Sequence, residues 1–224
     1  KVFVAFEEAR RFFSNKAVVV GNPVRSEVFS VQKSIPHFKK TKTVLFVTGG
    51  ALGSHSINEH IFRLLPELLK EYTVIHQTGS ASEYKDHQRS KDVQDKNYFA
   101  FSHITSDLIG FMYKNCDLII ARAGANTVFE ILGVQKPAIL IPLPWSASGE
   151  QEKHAQLLKR AQVAEIFDQS HTSEELLDLI ASMVASLEKY RKNFDTIDIT
   201  YDRKKAAQQI AEAVRETAAA SHTS

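Results

Sequence analysis

The chain has 224 residues, of which 43% are hydrophobic, as in an ordinary globular protein. No apolar run approaches the roughly 18 residues that a membrane span needs. Cys116 is the only cysteine, which excludes an intramolecular disulfide and a cysteine-rich zinc site and fits a reducing cytoplasm. The formal net charge is +2, but residues 1–42 hold nine Lys or Arg and only three Glu. A basic segment of this kind faces an anionic lipid surface or a diphosphate, or is a solvated linker, and the linker is the simpler interpretation.

The hydrophobic pattern predicts strands that alternate with helices along the chain. The predicted strands are residues 1–6, 16–20, 43–48, 73–77, 98–101, 118–121, 138–141 and 165–167. The first predicted helix follows the glycine-rich turn at 49–53, and another begins at residue 126. The other predicted helices are residues 107–113, 151–158, 173 to about 189, and 206–219. Such alternation is typical of one α/β domain with a parallel sheet.

A glycine-rich turn at residues 49–53, Gly-Gly-Ala-Leu-Gly, joins a predicted strand to a long amphipathic helix. Glycines let backbone N–H groups approach a phosphate closely, and the dipole of the following helix favours negative charge. A dinucleotide-binding dehydrogenase has a similar turn, but its next strand ends in an acidic residue for the ribose. Here that strand ends in His76-Gln77-Thr78-Gly79, which counts against this class.

A second strand–turn–helix–strand unit occupies residues 117–141. Its first strand ends in Arg122-Ala123-Gly124-Ala125, and Asn126 and Thr127 open the helix. In such units ligands bind at the carboxyl ends of the strands, beside helix N-termini. Glu130 lies one turn into the helix, where a carboxylate could accept two hydroxyl hydrogen bonds from a ribose. A solvated helix glutamate is the alternative, and position alone favours it.

Five motifs in order resemble those of the MurG family of GT-B glycosyltransferases. Residues 117–130 read Asp-Leu-Ile-Ile-Ala-Arg-Ala-Gly-Ala-Asn-Thr-Val-Phe-Glu and resemble its donor-sugar motif. Gly-Asn-Pro-Val-Arg at 21–25 resembles the opening of its C-terminal domain, and residues 49–54 resemble its Gly-Gly-Ser-x-Gly-Ala loop. Gln-Thr-Gly at 77–79 and Glu-Gln at 150–151 follow in family order. The resemblance spans about residues 1–165 and is specific because five motifs keep their order.

The resemblance implies a Rossmann-like parallel sheet flanked by helices, equivalent to the C-terminal domain of a GT-B fold. It implies that residues 1–15 are the tail of an absent N-terminal domain and that residues 16–202 bind the nucleotide sugar. Residues 203–224 would form a crossover helix and a frayed tail. The chain is therefore expected to be a fragment that begins near the interdomain crossover.

The implied function is that of an inverting hexosyltransferase, which transfers GlcNAc from UDP-GlcNAc to a lipid-diphosphate-linked muramoyl-pentapeptide in peptidoglycan synthesis. The base and the acceptor site would lie in the absent domain, so the chain alone should bind donor and turn over little. The donor-binding residues expected from the motifs are Arg25, Gly50, Ala51, Gly53, Ser106, Arg122, Gly124, Ala125, Asn126, Thr127, Glu130, Glu150 and Gln151. No metal or cofactor is expected, because no Asp-x-Asp motif is present. The expected location is the cytoplasmic face of the cell membrane, with the membrane surface as a partner and no nucleic acid.

Several positions depart from the family pattern or leave alternatives open. Ala51 replaces a serine, so that only backbone contacts to the donor remain there. Glu150 and His154 replace more typical residues, which makes the choice of sugar less secure than nucleotide binding. Trp145 either stacks on a sugar face or packs within its loop, and His103 is a packing or polar contact rather than a base.

Two other function classes remain. One is a donor-binding subunit of a transferase whose halves are separate chains, as in a eukaryotic dolichol-linked GlcNAc transferase. The other is a UDP-sugar transferase with a different acceptor, such as a diacylglycerol or a macrolide. An NAD-dependent enzyme is a distant third.

Overall fold

A computed structural model describes residues 1–13, 16–146, 149–197 and 205–221. The chain divides into two compact units, one formed by Lys1–Arg25 with Asp198–Ser224 and the other by Ser26–Ile197. No helix in the described ranges is both long enough and apolar enough to cross a membrane.

The smaller unit contains two short parallel strands, β1 (Val2–Val4) and β2 (Ala17–Val19), with helix α1 (Glu7–Arg10) between them in sequence. Its second segment forms the terminal helix α9 (Lys205–Ser221). Strands and helix lie where the sequence predicts them. The predicted domain limit at 202 falls outside the described residues. Of the tail predicted to fray, residues 221–224, the structure describes only Ser221, which is the last residue of α9.

In the described part of the larger unit, six parallel strands form one sheet in the order β5-β4-β3-β6-β7-β8. Their bounds are β3 (Thr43–Thr48), β4 (Tyr72–Gln77), β5 (Tyr98–Phe101), β6 (Leu118–Ala121), β7 (Ala138–Leu140) and β8 (Ala164–Ile166). The strand order reverses between β3 and β6, where Leu45–Leu118 to Thr48–Ala121 are paired. The loops that follow β3 and β6 therefore leave the sheet side by side, at the point where α/β sheets bind ligands.

Helices flank this sheet. Their bounds are α2 (His55–Glu71), α3 (Asp86–Lys91), α4 (Ser106–Asn115), α5 (Ala125–Val134), α6 (Glu150–Arg160), α7 (Ser173–Ala185) and α8 (Leu187–Asn193). The 3-10 turn Ser26–Phe29 lies near one end of this unit and the 3-10 turn Phe194–Thr196 near the other. The predicted α/β class with a parallel sheet flanked by helices is confirmed.

The core lies where α2 and α7 pack on the central strands. Ile57, Ile61 and Leu68 recur at helical spacing on α2 and are fully buried. Leu176, Ile180 and Met183 of α7 belong to the same cluster, together with Leu45, Val47, Leu118 and Ile120 of the sheet. Because β3 and β6 are covered on both faces, their sequences are continuous apolar runs rather than alternating ones.

The prediction of one helix from 173 to about 189 is wrong, because the chain forms two helices that meet at Ser186. Ser186 has φ −119° and ψ 17°, outside the helical region, and its N–H donates to the carbonyl oxygen of Met183 at 3.0 Å. The bend keeps Leu187 and Tyr190 against the core cluster. The start of α7 is a capping box in which Thr172 and Glu175 satisfy each other's backbone N–H groups.

Candidate functional site

The glycine turn after β3 packs backbone to backbone against the turn after β4. Gly53 and Gly79 have φ of +85° and +93°, a region that favours glycine. A Cβ on Gly53 would lie 2.1 Å from the carbonyl oxygen of Thr78. Gly50 N donates to Thr48 Oγ1 at 3.1 Å, and Thr48 in turn donates to Gln77 at 2.9 Å, so strand side chains hold the turn from below. The turn after β3 and the turn after β4 therefore pack together at the carboxyl edge of the sheet.

Helix α2 begins at the glycine turn and helix α5 begins after the neighbouring strand β6, and neither has a side-chain hydrogen bond from its N-cap residue. The N-cap of α2 is Ser54, and the N-cap of α5 is Gly124. A Cβ on Gly124 would meet nothing within 4 Å, so the space before α5 is open. Ala125, Asn126 and Thr127 form its first turn. Two adjacent helix N-termini present partial positive charge to the same space, which suits an anion.

Glu130 faces inward from α5, and its residue surface is 9% exposed. The hydroxyl of Tyr113 donates to Glu130 Oε2 at 2.6 Å. The alternative of a solvated helix glutamate is therefore wrong. A buried carboxylate already oriented by one hydroxyl is chemically suited to accept others, as a ribose would offer.

The guanidinium of Arg122 is turned into the protein. Nη2 contacts three side-chain oxygens at 2.6–2.7 Å, and Nη1 donates to two carbonyl oxygens at 3.0 and 3.3 Å. The acceptors are Ser54 Oγ, Ser56 Oγ, Gln169 Oε1, and the carbonyl oxygens of Ile141 and Pro142. Burial lowers the pKa of Arg122 to about 10, so it keeps its charge at neutral pH. All five acceptors are uncharged.

Gln151 organises the loop that joins β7 to α6. Its Oε1 accepts the N–H of Leu143 at 3.0 Å, so the side-chain N–H₂ group is the part that remains for a ligand. His154 Nδ1 lies 3.2 Å from the carbonyl oxygen of Ala123 and must therefore carry a proton, which ties α6 to the turn before α5. The side chain of Glu150 is largely exposed.

Trp145 lies at the centre of the turn closed by the hydrogen bond from Ser146 N to Leu143 O, and it is 73% exposed. The interpretation that it packs within its loop is therefore wrong. Ser106 opens α4 and His103 precedes it, both exposed. Ala51 is exposed at the glycine turn. Arg25 belongs to the smaller unit, and its contact with a donor stays a prediction.

A buried polar network behind the glycine turn escaped the sequence analysis. Asn58 Nδ2 donates to Thr78 O at 2.9 Å and to Asp86 Oδ2 at 2.7 Å. Its Oδ1 therefore accepts from His76 Nε2 at 3.0 Å, which leaves His76 Nδ1 to accept from the Tyr98 hydroxyl at 2.9 Å. Burial lowers the pKa of His76 to about 3, so this tautomer is neutral at pH 7. An Asn on the apolar face of α2 was the one signal in the sequence.

Among the described side chains, His55, Glu59 and Asp86 bring possible ligand atoms within 4.8 Å of one another. Glu59 already forms ion pairs with Arg89 and Arg63. Asp86 accepts from Asn58 and contacts His55 Nδ1 at 3.0 Å. Because protein donors satisfy both carboxylates, we assign no cation to this cluster.

Cys116 is fully buried, and burial raises the pKa of its thiol to about 12. It is therefore an inert thiol at neutral pH.

Known relatives of the chain are glycosyltransferases. A protein of Bacillus cereus (strain ATCC 10987 / NRS 248), named UDP-N-acetylglucosamine--N-acetylmuramyl-(pentapeptide) pyrophosphoryl-undecaprenol N-acetylglucosamine transferase 2, is 32% identical over 224 residues. That match covers 96% of this chain and 60% of the relative. A Clostridium novyi (strain NT) protein of the same name without the numeral is 34% identical over 204 residues, 88% of this chain and 56% of the relative. The chain thus spans about 60% of the length of such relatives.

Solved structures support the fold. The crystal structure of Acinetobacter baumannii MurG superposes with a TM-score of 0.69 at 23% identity, over 96% of this chain and 60% of that one. The calicheamicin glycosyltransferase CalG4 superposes with a TM-score of 0.63 at 14% identity, over 93% and 51%. The predicted fold of a GT-B C-terminal domain is confirmed.

A family model matches most of the larger unit and extends past it. Residues 44–214 match the glycosyltransferase family 28 C-terminal domain. That range contains the glycine turn, the motif at 117–130 and the Glu-Gln pair, so the resemblance seen in the motifs is confirmed. The chain belongs to the glycosyltransferase family 28 C-terminal domain family.

Proposed function

We propose that the chain is the donor-binding part of a hexosyltransferase that takes GlcNAc from UDP-GlcNAc. The observation that carries this proposal is the meeting of two uncapped helix N-termini and a buried carboxylate beside paired β3 and β6. Helix N-termini suit the diphosphate, and Glu130 suits the ribose. The names of the Bacillus cereus and Clostridium novyi relatives supply the donor and the acceptor class.

Each part of the donor has proposed contacts. Backbone groups of Gly50, Ala51 and Gly53 and the first turn of α5 hold the diphosphate. The loop before Ser106 holds the uracil base of the donor. Gln151 donates its amide hydrogens to a hydroxyl of the sugar, and Glu150 borders that position.

The proposed reaction is attack of an acceptor hydroxyl on the anomeric carbon of GlcNAc, with inversion and loss of UDP. The charge that develops on UDP is stabilised by preorganised N–H groups and helix dipoles. The acceptor is a lipid-linked muramoyl-pentapeptide, met at the cytoplasmic face of the membrane. Its site and the general base belong to the portion of the relatives that this chain does not span, so the chain alone binds donor and transfers little.

Calorimetric titration with UDP-GlcNAc, UDP-glucose and UDP tests the proposal. We expect UDP-GlcNAc to bind more tightly than UDP-glucose and Glu130→Ala to weaken binding at least about tenfold, the factor that 1.4 kcal/mol represents. Glu174→Ala, which removes an exposed glutamate of α7, is the matched control. Equal affinities of wild type and Glu130→Ala would refute the ribose contact. A preference for UDP-glucose would favour a different sugar transferase.

A further inference from the structure

Within the described part of the chain, Arg122 is a cation without a counter-charge. Its five acceptors are neutral, and no carboxylate forms an ion pair with it among the described residues. Buried charges in proteins are normally paired with an opposite charge. The positive charge of this half-buried guanidinium is therefore not neutralised by a described carboxylate, and it attracts an anion that binds nearby.

The contacts of Arg122 join the N-termini of α2 and α5. Its backbone lies two residues before Gly124, the N-cap of α5, while its Nη2 holds Ser54 and Ser56 at the start of α2. Ser54 is the N-cap of α2, but its hydroxyl contacts Arg122 instead of capping the helix. The same side chain thus fixes the spacing of the two N-termini and leaves the α2 terminus without a side-chain cap.

The remaining contacts extend this link to the next strand. Nη1 donates to the carbonyl oxygens of Ile141 and Pro142, where the chain leaves β7 toward the loop of Trp145. Gln169 Oε1 contacts both Arg122 Nη2 and the hydroxyl of Ser56. One planar fork of donors therefore holds the ends of β6 and β7 and the start of α2 together, which a lysine cannot do.

We propose that Arg122 is a positioning residue that locks the N-termini of α2 and α5 in register and supplies an unneutralised positive charge behind the phosphates of a nucleoside diphosphate. This inference rests on the proposed function and differs from the expectation drawn from the motifs, because Arg122 acts through the two helices rather than by touching the donor. Its charge acts on a ligand in proportion to the ligand's phosphate charge.

The test measures the dissociation constants of UDP and UMP for wild type, Arg122→Gln and Arg122→Lys. Arg122→Gln removes the charge, so we expect UDP binding to weaken about tenfold or more and UMP binding to weaken less. Arg122→Lys keeps the charge and loses the fork, so both ligands should weaken by a similar factor. Arg63→Gln, which changes an exposed arginine of α2, is the control and should bind like wild type.

The measured losses decide separately whether the charge of Arg122 and its positioning of the two helices contribute to binding. Equal losses for UDP and UMP in Arg122→Gln would overturn the role of the charge, and unchanged binding in Arg122→Lys would overturn the lock. If the Arg122 variants do not fold, the double variant Ser54→Ala, Ser56→Ala decides: it keeps the charge and should weaken both ligands, whereas unchanged binding overturns the lock. Failure of the wild type to bind UDP would instead refute the proposed function.

Discussion

Replacing Asn58 tests how strongly the buried network supports the glycine turn. Asn58 is 1% exposed and bonds to three buried partners: Thr78 O, Asp86 Oδ2 and His76 Nε2. Asn58→Leu keeps a similar volume, so it leaves little cavity. It leaves Thr78 O and His76 Nε2 without these partners and removes one hydrogen bond from Asp86 Oδ2, which keeps its contact with His55 Nδ1 at 3.1 Å. At about 1–3 kcal/mol for each buried group without a partner, the expected loss of unfolding free energy is about 3–5 kcal/mol after partial relaxation.

Urea unfolding measures this loss as a lower midpoint at an unchanged slope. The control is Gln94→Leu, which removes an exposed amide after α3 and should shift the unfolding free energy by less than about 0.5 kcal/mol. If Asn58→Leu unfolds at the same urea concentration as Gln94→Leu, the network does not contribute what its geometry implies.

Two further predictions concern pH and the glycine turn. The pKa of His76 is lowered to about 3, below its unfolded value, so the unfolded chain binds one more proton between about pH 3 and 6.5. The unfolding free energy should fall through this window as pH falls, by up to about 1.4 kcal/mol per pH unit. In urea unfolding at pH 5 and 7, His76→Gln should show a smaller difference between the two pH values than wild type. An equal difference in both proteins would contradict this. Both Gly53 and Gly50 have positive φ, +85° and +87°. The Cβ of Gly53→Ala would lie 2.1 Å from Thr78 O, whereas the Cβ of Gly50→Ala would have no atom within 4 Å. Gly50→Ala should lower the unfolding free energy by about 1–2 kcal/mol through backbone strain alone, and Gly53→Ala should lower it clearly more because of the clash. Equal urea midpoints for the two variants would show that the two turns separate freely.

Local pattern was enough to predict the sheet. The strands at 43–48, 98–101 and 118–121 have the predicted bounds. For the central strands β3 and β6 the reason is that a parallel strand buried on both faces is a short apolar run with abrupt ends. The break at Ser186 was missed because Leu187 continues the apolar spacing of α7, and only packing against the core reveals the bend.

The site was predictable in its motifs and not in its contacts. The glycine turn and Glu130 could be identified from order and residue type. The orientation of Arg122 depends on Ser54 and Ser56, 68 and 66 residues earlier in the chain, and no local pattern encodes such contacts. The same holds for the Asn58–His76 pair, which only the stacking of α2 on β4 brings together.

Amide chemical shifts of the isotope-labelled chain, recorded while UDP-GlcNAc is added, test directly whether the donor binds at the carboxyl edge of the sheet. We expect the largest changes on residues 49–54 and 124–127, the glycine turn and the N-terminus of α5, and we expect Glu130→Ala to require at least about tenfold more donor for the same changes. Saturable changes confined to other surfaces, with these amides unmoved, would contradict a donor site at the carboxyl edge of the sheet.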